Sequence, residues 1–209
     1  MDTTFILNAG QAIHSAIIAN EAEIESLDRA IGDGDHYVNM RRASEMIAQM
    51  QHELGRQPID VVLNKIGMKL LSTLGGASGP LFASFFMAMG KTLKENGAEN
   101  NLQSATAFAA GVQAIIQRGK AGLGEKTMLD VLIPVSTSYT TLAAQDKTAK
   151  EIAHELKVVA DSGLESTRNL VATKGRAAGL GERAIGHLDA GAKSCQVMIH
   201  AVCDLVLKG

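Results

Sequence analysis

Aromatic side chains are scarce in this 209-residue chain: five Phe, two Tyr and no Trp, 3% in all. That disfavours a base-stacking platform for single-stranded nucleic acid, which relies on repeated aromatic faces. Neither sign of charge dominates, and the net charge is -2 at pH 7. No basic excess points to nucleic acid, and no run of one sign points to an anionic membrane. Cysteine is limited to Cys195 and Cys203. On one helix they would lie about 12 Å apart, beyond the roughly 7 Å reach of a disulfide. Two unpaired thiols fit a reducing cytoplasm. No uninterrupted apolar run reads as long enough to span a bilayer. Met1-Asp2-Thr3-Thr4 lacks the basic-then-apolar opening of a signal peptide. The expectation is a cytoplasmic protein that contacts neither membrane nor nucleic acid directly.

Apolar residues make up 46% of the chain, enough for a sizeable core in a single domain spanning 1–209. Their period is helical. Ile6, Ala9, Ile13, Ile17, Ile24 and Leu27 step by three, four or seven, and so do Val62, Ile66 and Leu70. Phe108, Val112 and Ile115 repeat the pattern, then Ile152, Leu156 and Val159, then Met198, Val202 and Leu205. Alternating strand patterns between hairpin turns are absent, and good helix formers are frequent. Met40, Met68, Met87, Met89 and Met198 read as core filler.

Breakers divide these segments. Gly32 and Gly34 end a first long helix near Leu27, and Gly55 and Pro58 separate a second from a third. Pro58 suits a first helical position. The run Gly75-Gly76-Ala77-Ser78-Gly79-Pro80 precedes a fourth. Residues 96–101 and 144–148 are short polar joints, 119–125 is glycine-rich, and 174–187 reads as a long loop. Pro134 falls near the start of the sixth segment or at a kink in it. The result is about eight helices. Loops 28–39, 75–80, 119–127 and 174–191 carry the glycines and polar residues, and they follow helices one, three, five and seven. In an up-and-down arrangement such loops share one end, so they should build one composite site on one rim.

Each loop has its own chemistry. Leu27-Asp28-Arg29-Ala30-Ile31-Gly32-Asp33-Gly34-Asp35-His36 places three aspartates within eight residues. Hard carboxylate oxygens suit Mg²⁺ and leave room for substrate phosphates; the same residues also fit a solvated Asp-Gly turn. The 75–80 run lets a ligand approach a helix N-terminus, an anion site by construction, or it is an ordinary turn with Ser78 as N-cap. Gly119-Lys120-Ala121-Gly122-Leu123-Gly124-Glu125-Lys126-Thr127 looks like a Walker A loop, but Glu125 breaks the spacing and no strand precedes it. It reads as a glycine-rich lip before a helix starting near Thr127, with Asp130 suiting that helix's first turn. Lys174, Arg176 and Arg183 lie in the last loop, where Arg can grip phosphate with two donors, and Asp189 suits an N-cap. His36 adjoins the aspartates; His14, His52, His154 and His200 fall on helix faces with no chemical role expected. Neither cysteine has a cationic neighbour in sequence to activate it.

Segments 27–40, 74–86, 118–134 and 174–191 together, in this order, resemble the nucleotide-binding L subunit of dihydroxyacetone kinase, the DhaL family. The resemblance covers nearly the whole chain. It implies a closed antiparallel barrel of about eight helices, all-α, that holds ADP or ATP across one rim with two Mg²⁺ ions. It makes Asp28, Asp33 and Asp35 the metal ligands. His36, Tyr37, Val38 and Asn39 would flank the phosphates, and Ala77 and Ser78 would meet the nucleotide at a helix N-terminus. Gly119, Thr127 and Met128 would line the adenine end, and Asp189, Ala190 and Gly191 would close the site. Arg176 would bind phosphate and serve catalysis. This sequence departs from the family pattern at Tyr37 and Ala190, where Gly and Pro are usual, at Ala178-Gly179, which replaces Ser-Tyr, and at Glu125, which replaces Asp.

The resemblance further implies phosphoryl transfer by positioning and charge neutralisation. The acceptor is dihydroxyacetone or a similar small ketose on a separate K subunit, and a phosphohistidine carrier of the phosphotransferase system recharges bound ADP. Two alternatives are a subunit that exchanges free ATP for another ketose, and a regulator that docks on a transcription factor according to its nucleotide state.

Overall fold

The computed structural model describes residues 1–209 apart from the side chain of His52, whose expected lack of role lies outside what is described. The described residues form α1 (Thr3–Ala19), α2 (Glu21–Ile31), α3 (His36–Gln49), α4 (Gln51–Leu54) and α5 (Ile59–Thr73). Then come α6 (Ser78–Asn96), α7 (Asn101–Gly119), α8 (Leu129–Ala144), α9 (Ala149–Ser166) and α10 (Ala190–Lys208). Two 3-10 segments, Thr167–Asn169 and Arg176–Ala184, precede α10, and no strand occurs among the described residues.

The fold is all-α, as expected, but two of the eight expected segments are interrupted. α1 ends at Asn20, whose backbone leaves helical geometry at φ -106° and ψ 16° and whose side-chain amide joins its own N–H in bonding the Ala16 carbonyl, at 2.8 Å. Met50 divides α3 from the short α4. The first segment also runs past Leu27 to Ile31, so Asp28 is helical and belongs to no loop. Pro58 caps α5 one residue before its start. Residues 176–184, expected as open loop, coil into a 3-10 segment that Gly181 interrupts at φ 56°.

Joints 96–101 and 144–148 are closed by capping boxes, Asn100 with Gln103 and Thr148 with Glu151. Missing β-carbons let neighbouring helices close up. A β-carbon at Gly67 would lie 2.9 Å from the Ala83 carbonyl, and one at Gly163 would lie 2.6 Å from that of Asp130. The second contact involves Pro134, the sixth residue of α8, which lacks the N–H that would bond Asp130. The carbonyl so released is the one Gly163 packs against.

Each helix packs on its chain neighbours from α5 to α10, while α1 packs on both α3 and α10. The core has three main clusters, one around Val112, Leu129 and Leu156, one around Leu7, Ile66 and Leu70, and one around Ile17, Ile24 and Tyr37. Phe82 packs against all three. Met40 and Met89 are buried as expected, but Met68 and Met87 are exposed and fill no core. By length and mean hydropathy alone α10 could cross a membrane, although Lys193, Gln196, His200 and Asp204 interrupt its apolar run. In this fold it packs against α9, α1, α8 and α2. Cys195 and Cys203 both lie on it, buried and unpaired.

Candidate functional site

A cleft of about 520 Å³ opens where the four glycine-bearing loops meet. Its walls include Asp28, Asp33, Asp35, His36 and Asn39 from one side and Gly75 to Ser78 from another. Gly119, Lys126, Thr127, Met128, Arg176, Asp189, Ala190 and Gly191 complete it. The convergence expected from loop alternation is therefore observed.

Asp28, Asp33 and Asp35 bring carboxylate oxygens within 4.8 Å of one another. Asp28 is buried at the end of α2, and the other two are exposed. One Asp28 oxygen accepts the His36 N–H at 3.0 Å, so this carboxylate also caps α3. Gly32 makes room for it, since a β-carbon there would collide with the Asp28 carboxylate. Three hard oxygen donors, one fixed and two open to solvent, fit a cation that keeps positions for phosphate, as Mg²⁺ does. Among the described residues, Asp33 pairs with Arg176, Nε to Oδ2 at 2.8 Å.

Beside the carboxylates, His36 Nε2 meets the Ser194 hydroxyl at 2.8 Å. Burial lowers the His36 pKa below 6.5, an effect that Asp28 and Asp35 oppose. On the facing wall α6 begins after Ala77 with no side-chain cap, so Ser78 is not the N-cap but the first helical residue. The N–H groups of Ser78 and Gly79 stay available, which favours an anion at that end.

The 119–127 lip is organised by Asp130, which is itself buried. Its oxygens accept N–H groups of Gly124 at 2.5 Å and Thr127 at 2.7 Å. Glu125 accepts from the Thr173 hydroxyl at 2.8 Å, tying the lip to the segment before the last loop. That bond, with the Gly122 N–H, lowers its pKa. Asp189 is the N-cap of α10, accepting from the Ala192 N–H at 2.7 Å as expected. Burial raises its pKa to about 6.

Two expected site residues do not line the cleft. Tyr37 turns inward among Ile17, Ile24, Met40 and Val197, and Val38 faces solvent. A helix sends successive side chains about 100° apart, so His36 and Asn39 can face the cleft while Tyr37 and Val38 cannot. Sequence reading passed over two contributors. In sequence Lys126 is only one residue of a lip, yet it is buried in the cleft floor. Ser194 carries no signal except its place one turn into α10, on the face that carries Ala190 and Gly191.

A family model described as the DAK2 domain matches residues 30–204. The chain is 38% identical over 184 residues to the PEP-dependent dihydroxyacetone kinase, ADP-binding subunit DhaL, of Escherichia coli strain K12, covering 88% of each. It is 39% identical over 185 residues to the ADP-binding subunit DhaL of PEP-dependent dihydroxyacetone kinase 1 of Listeria innocua, covering 88% of this chain and 86% of that one. The crystal structure of the dihydroxyacetone kinase from C. freundii in complex with AMP-PNP and Mg²⁺ superposes with a TM-score of 0.76 at 25% identity. That match covers 98% of this chain and 34% of the larger one.

Proposed function

The chain belongs to the DAK2 domain family, and from that premise we propose that it is the nucleotide-binding subunit of a dihydroxyacetone kinase-type phosphotransferase. The observation that carries the reading is the carboxylate trio, with oxygens within 4.8 Å of one another, in a cleft that also holds the uncapped start of α6 and Arg176. The packing of α1 on α10 supports a closed antiparallel barrel, one domain over 1–209, with this cleft in one rim. The two unpaired thiols, Cys195 and Cys203, fit a cytoplasmic location.

Asp28, Asp33 and Asp35 would hold two Mg²⁺ ions, whose charge offsets that of the phosphates when bound. The chain's own groups do the positioning. The first turn of α6, with Ala77 and Ser78, presents N–H groups to phosphate oxygens. His36 and Asn39 flank the phosphates. Gly119, Thr127 and Met128 hold the adenine end, and Asp189, Ala190 and Gly191 close the cleft. Arg176 leaves Asp33 for the transferred phosphoryl group, whose equatorial oxygens its forked donors match. No covalent nucleophile on this chain is required. Dihydroxyacetone or a similar small ketose stands on a separate K-type subunit, and a phosphohistidine carrier recharges ADP in place.

The test is to purify the protein without added nucleotide, denature it and quantify what is released. Near-stoichiometric ADP is the expected result. A chain released empty that binds Mg-ATP reversibly would replace the phosphocarrier with free ATP as donor.

A further inference from the structure

Lys126 is the largest side chain that this fold buries completely, with 1% of it accessible. Removing an ammonium from water is costly unless its N–H groups find acceptors. Two do. Nζ donates to the Thr167 carbonyl at 2.5 Å and to the His187 carbonyl at 2.6 Å. Burial still lowers its pKa, against the pull of Asp189 and Asp130.

The two carbonyls belong to different elements. Thr167 opens the 3-10 turn after α9, and His187 lies just before α10. Thr167 also receives the Asp189 N–H at its hydroxyl, at 3.1 Å. Lys126 reaches this joint from a left-handed backbone, φ 59°, a conformation unfavourable for a residue with a β-carbon. Its neighbours point elsewhere: the Glu125 carboxylate accepts from the Thr173 hydroxyl, and the Thr127 hydroxyl accepts from the Leu129 N–H. The strained residue is thus the one that turns inward and joins the lip to the start of α10.

We propose that Lys126 is a positioning residue of the cleft, fixing the Thr127–Met128 edge against the Asp189–Gly191 edge and so shaping the nucleoside end. The inference rests on the nucleotide-binding reading above. The phosphate end is built from other parts, the aspartate segment and the start of α6, which Lys126 does not touch. Its loss should therefore change selectivity within the nucleotide and spare phosphate binding.

The experiment compares Mg-ADP with Mg-pyrophosphate by calorimetry on wild type and Lys126→Met, at a temperature where circular dichroism shows the variant folded. Affinity for ADP should fall at least about tenfold, or about 1.4 kcal/mol, with pyrophosphate affinity unchanged. Equal losses for both ligands, or no loss for either, would overturn the proposal. Wild type that binds pyrophosphate but not ADP would overturn the nucleotide reading and this inference with it. Should Lys126→Met not fold, Lys126→Ala with propylammonium, which replaces the missing atoms, takes its place. Recovery of ADP affinity with the amine, and none with propanol, is the supporting result; equal recovery with both overturns it.

Discussion

Arg176 lies against Asp33, its Nε 2.8 Å from the carboxylate. The cation assigned to phosphate and a carboxylate assigned to metal neutralise each other across the cleft. On the proposed function, binding of metal and phosphate would exchange both partners at once and spare either group from standing alone. The pair is largely exposed, so its own contribution to stability is small, about 0–1 kcal/mol for such bridges.

Arg176→Ala should therefore leave the melting temperature within about 2–4 °C of wild type. Phosphoryl transfer should slow by about a hundredfold or more, in line with other phosphate-stabilising arginines. Single-turnover kinetics beside a thermal melt checks this. A variant that melts early and transfers normally would make the residue structural.

Asp33→Asn keeps the shape and the exposed position but removes the charge. Mg-ADP affinity should fall by about a hundredfold, the effect of losing about 2.7 kcal/mol, with the helical circular dichroism unchanged. Calorimetry with and without Mg²⁺ reads it. Unaltered affinity would remove Asp33 from the metal set.

Asp189 carries a signed pH dependence. Its folded pKa is raised to about 6 from an ordinary 3.8. Between these values the folded chain holds a proton that the unfolded chain has lost. The contribution of this group to stability thus falls as pH rises from about 4 to about 6, and is level above. Asp189→Asn retains an oxygen for the Ala192 N–H and removes the titration. Urea unfolding across this range should show the wild type losing stability relative to the variant as pH rises. A difference that runs the other way would mean the ionised cap is favoured in the fold.

Gly163→Ala tests the contact between α8 and α9. The added carbon would meet the Asp130 carbonyl at 2.6 Å and the Val131 Cα at 3.0 Å. Both are backbone atoms that no rotamer change can move. A loss of about 1–3 kcal/mol is expected, as for other overpacked cores, measured by denaturant titration. Because Asp130 also holds the lip, ADP binding should weaken in the same variant.

Much of this arrangement was legible before any coordinates. Helical periodicity and glycine punctuation placed the segments, and the alternation of rich and plain loops brought Asp28, Ser78, Thr127 and Asp189 to one rim. Periodicity could not locate Asn20 as a break, because the apolar pattern continues across it and only the backbone of that one residue departs from helical geometry. The inward turn of Tyr37 was hidden because a motif read as a string treats neighbours alike, whereas a helix points them apart. Lys126 was hidden for a different reason. Its burial depends on carbonyls 41 and 61 residues away, and on a left-handed backbone that nothing in a lysine foretells.

The packing of α10 on both α9 and α1 has a consequence for how the molecule is made. A chain synthesised from its N-terminus presents the inner faces of α1 and then α9 before the 19 residues of α10 exist to cover them. Asp189 to Gly191 open that same helix, so the cleft stays incomplete until α10 has followed the other three loops out of the ribosome. A chain arrested before α10 would therefore lack the Asp189–Gly191 edge that the proposed nucleotide site requires.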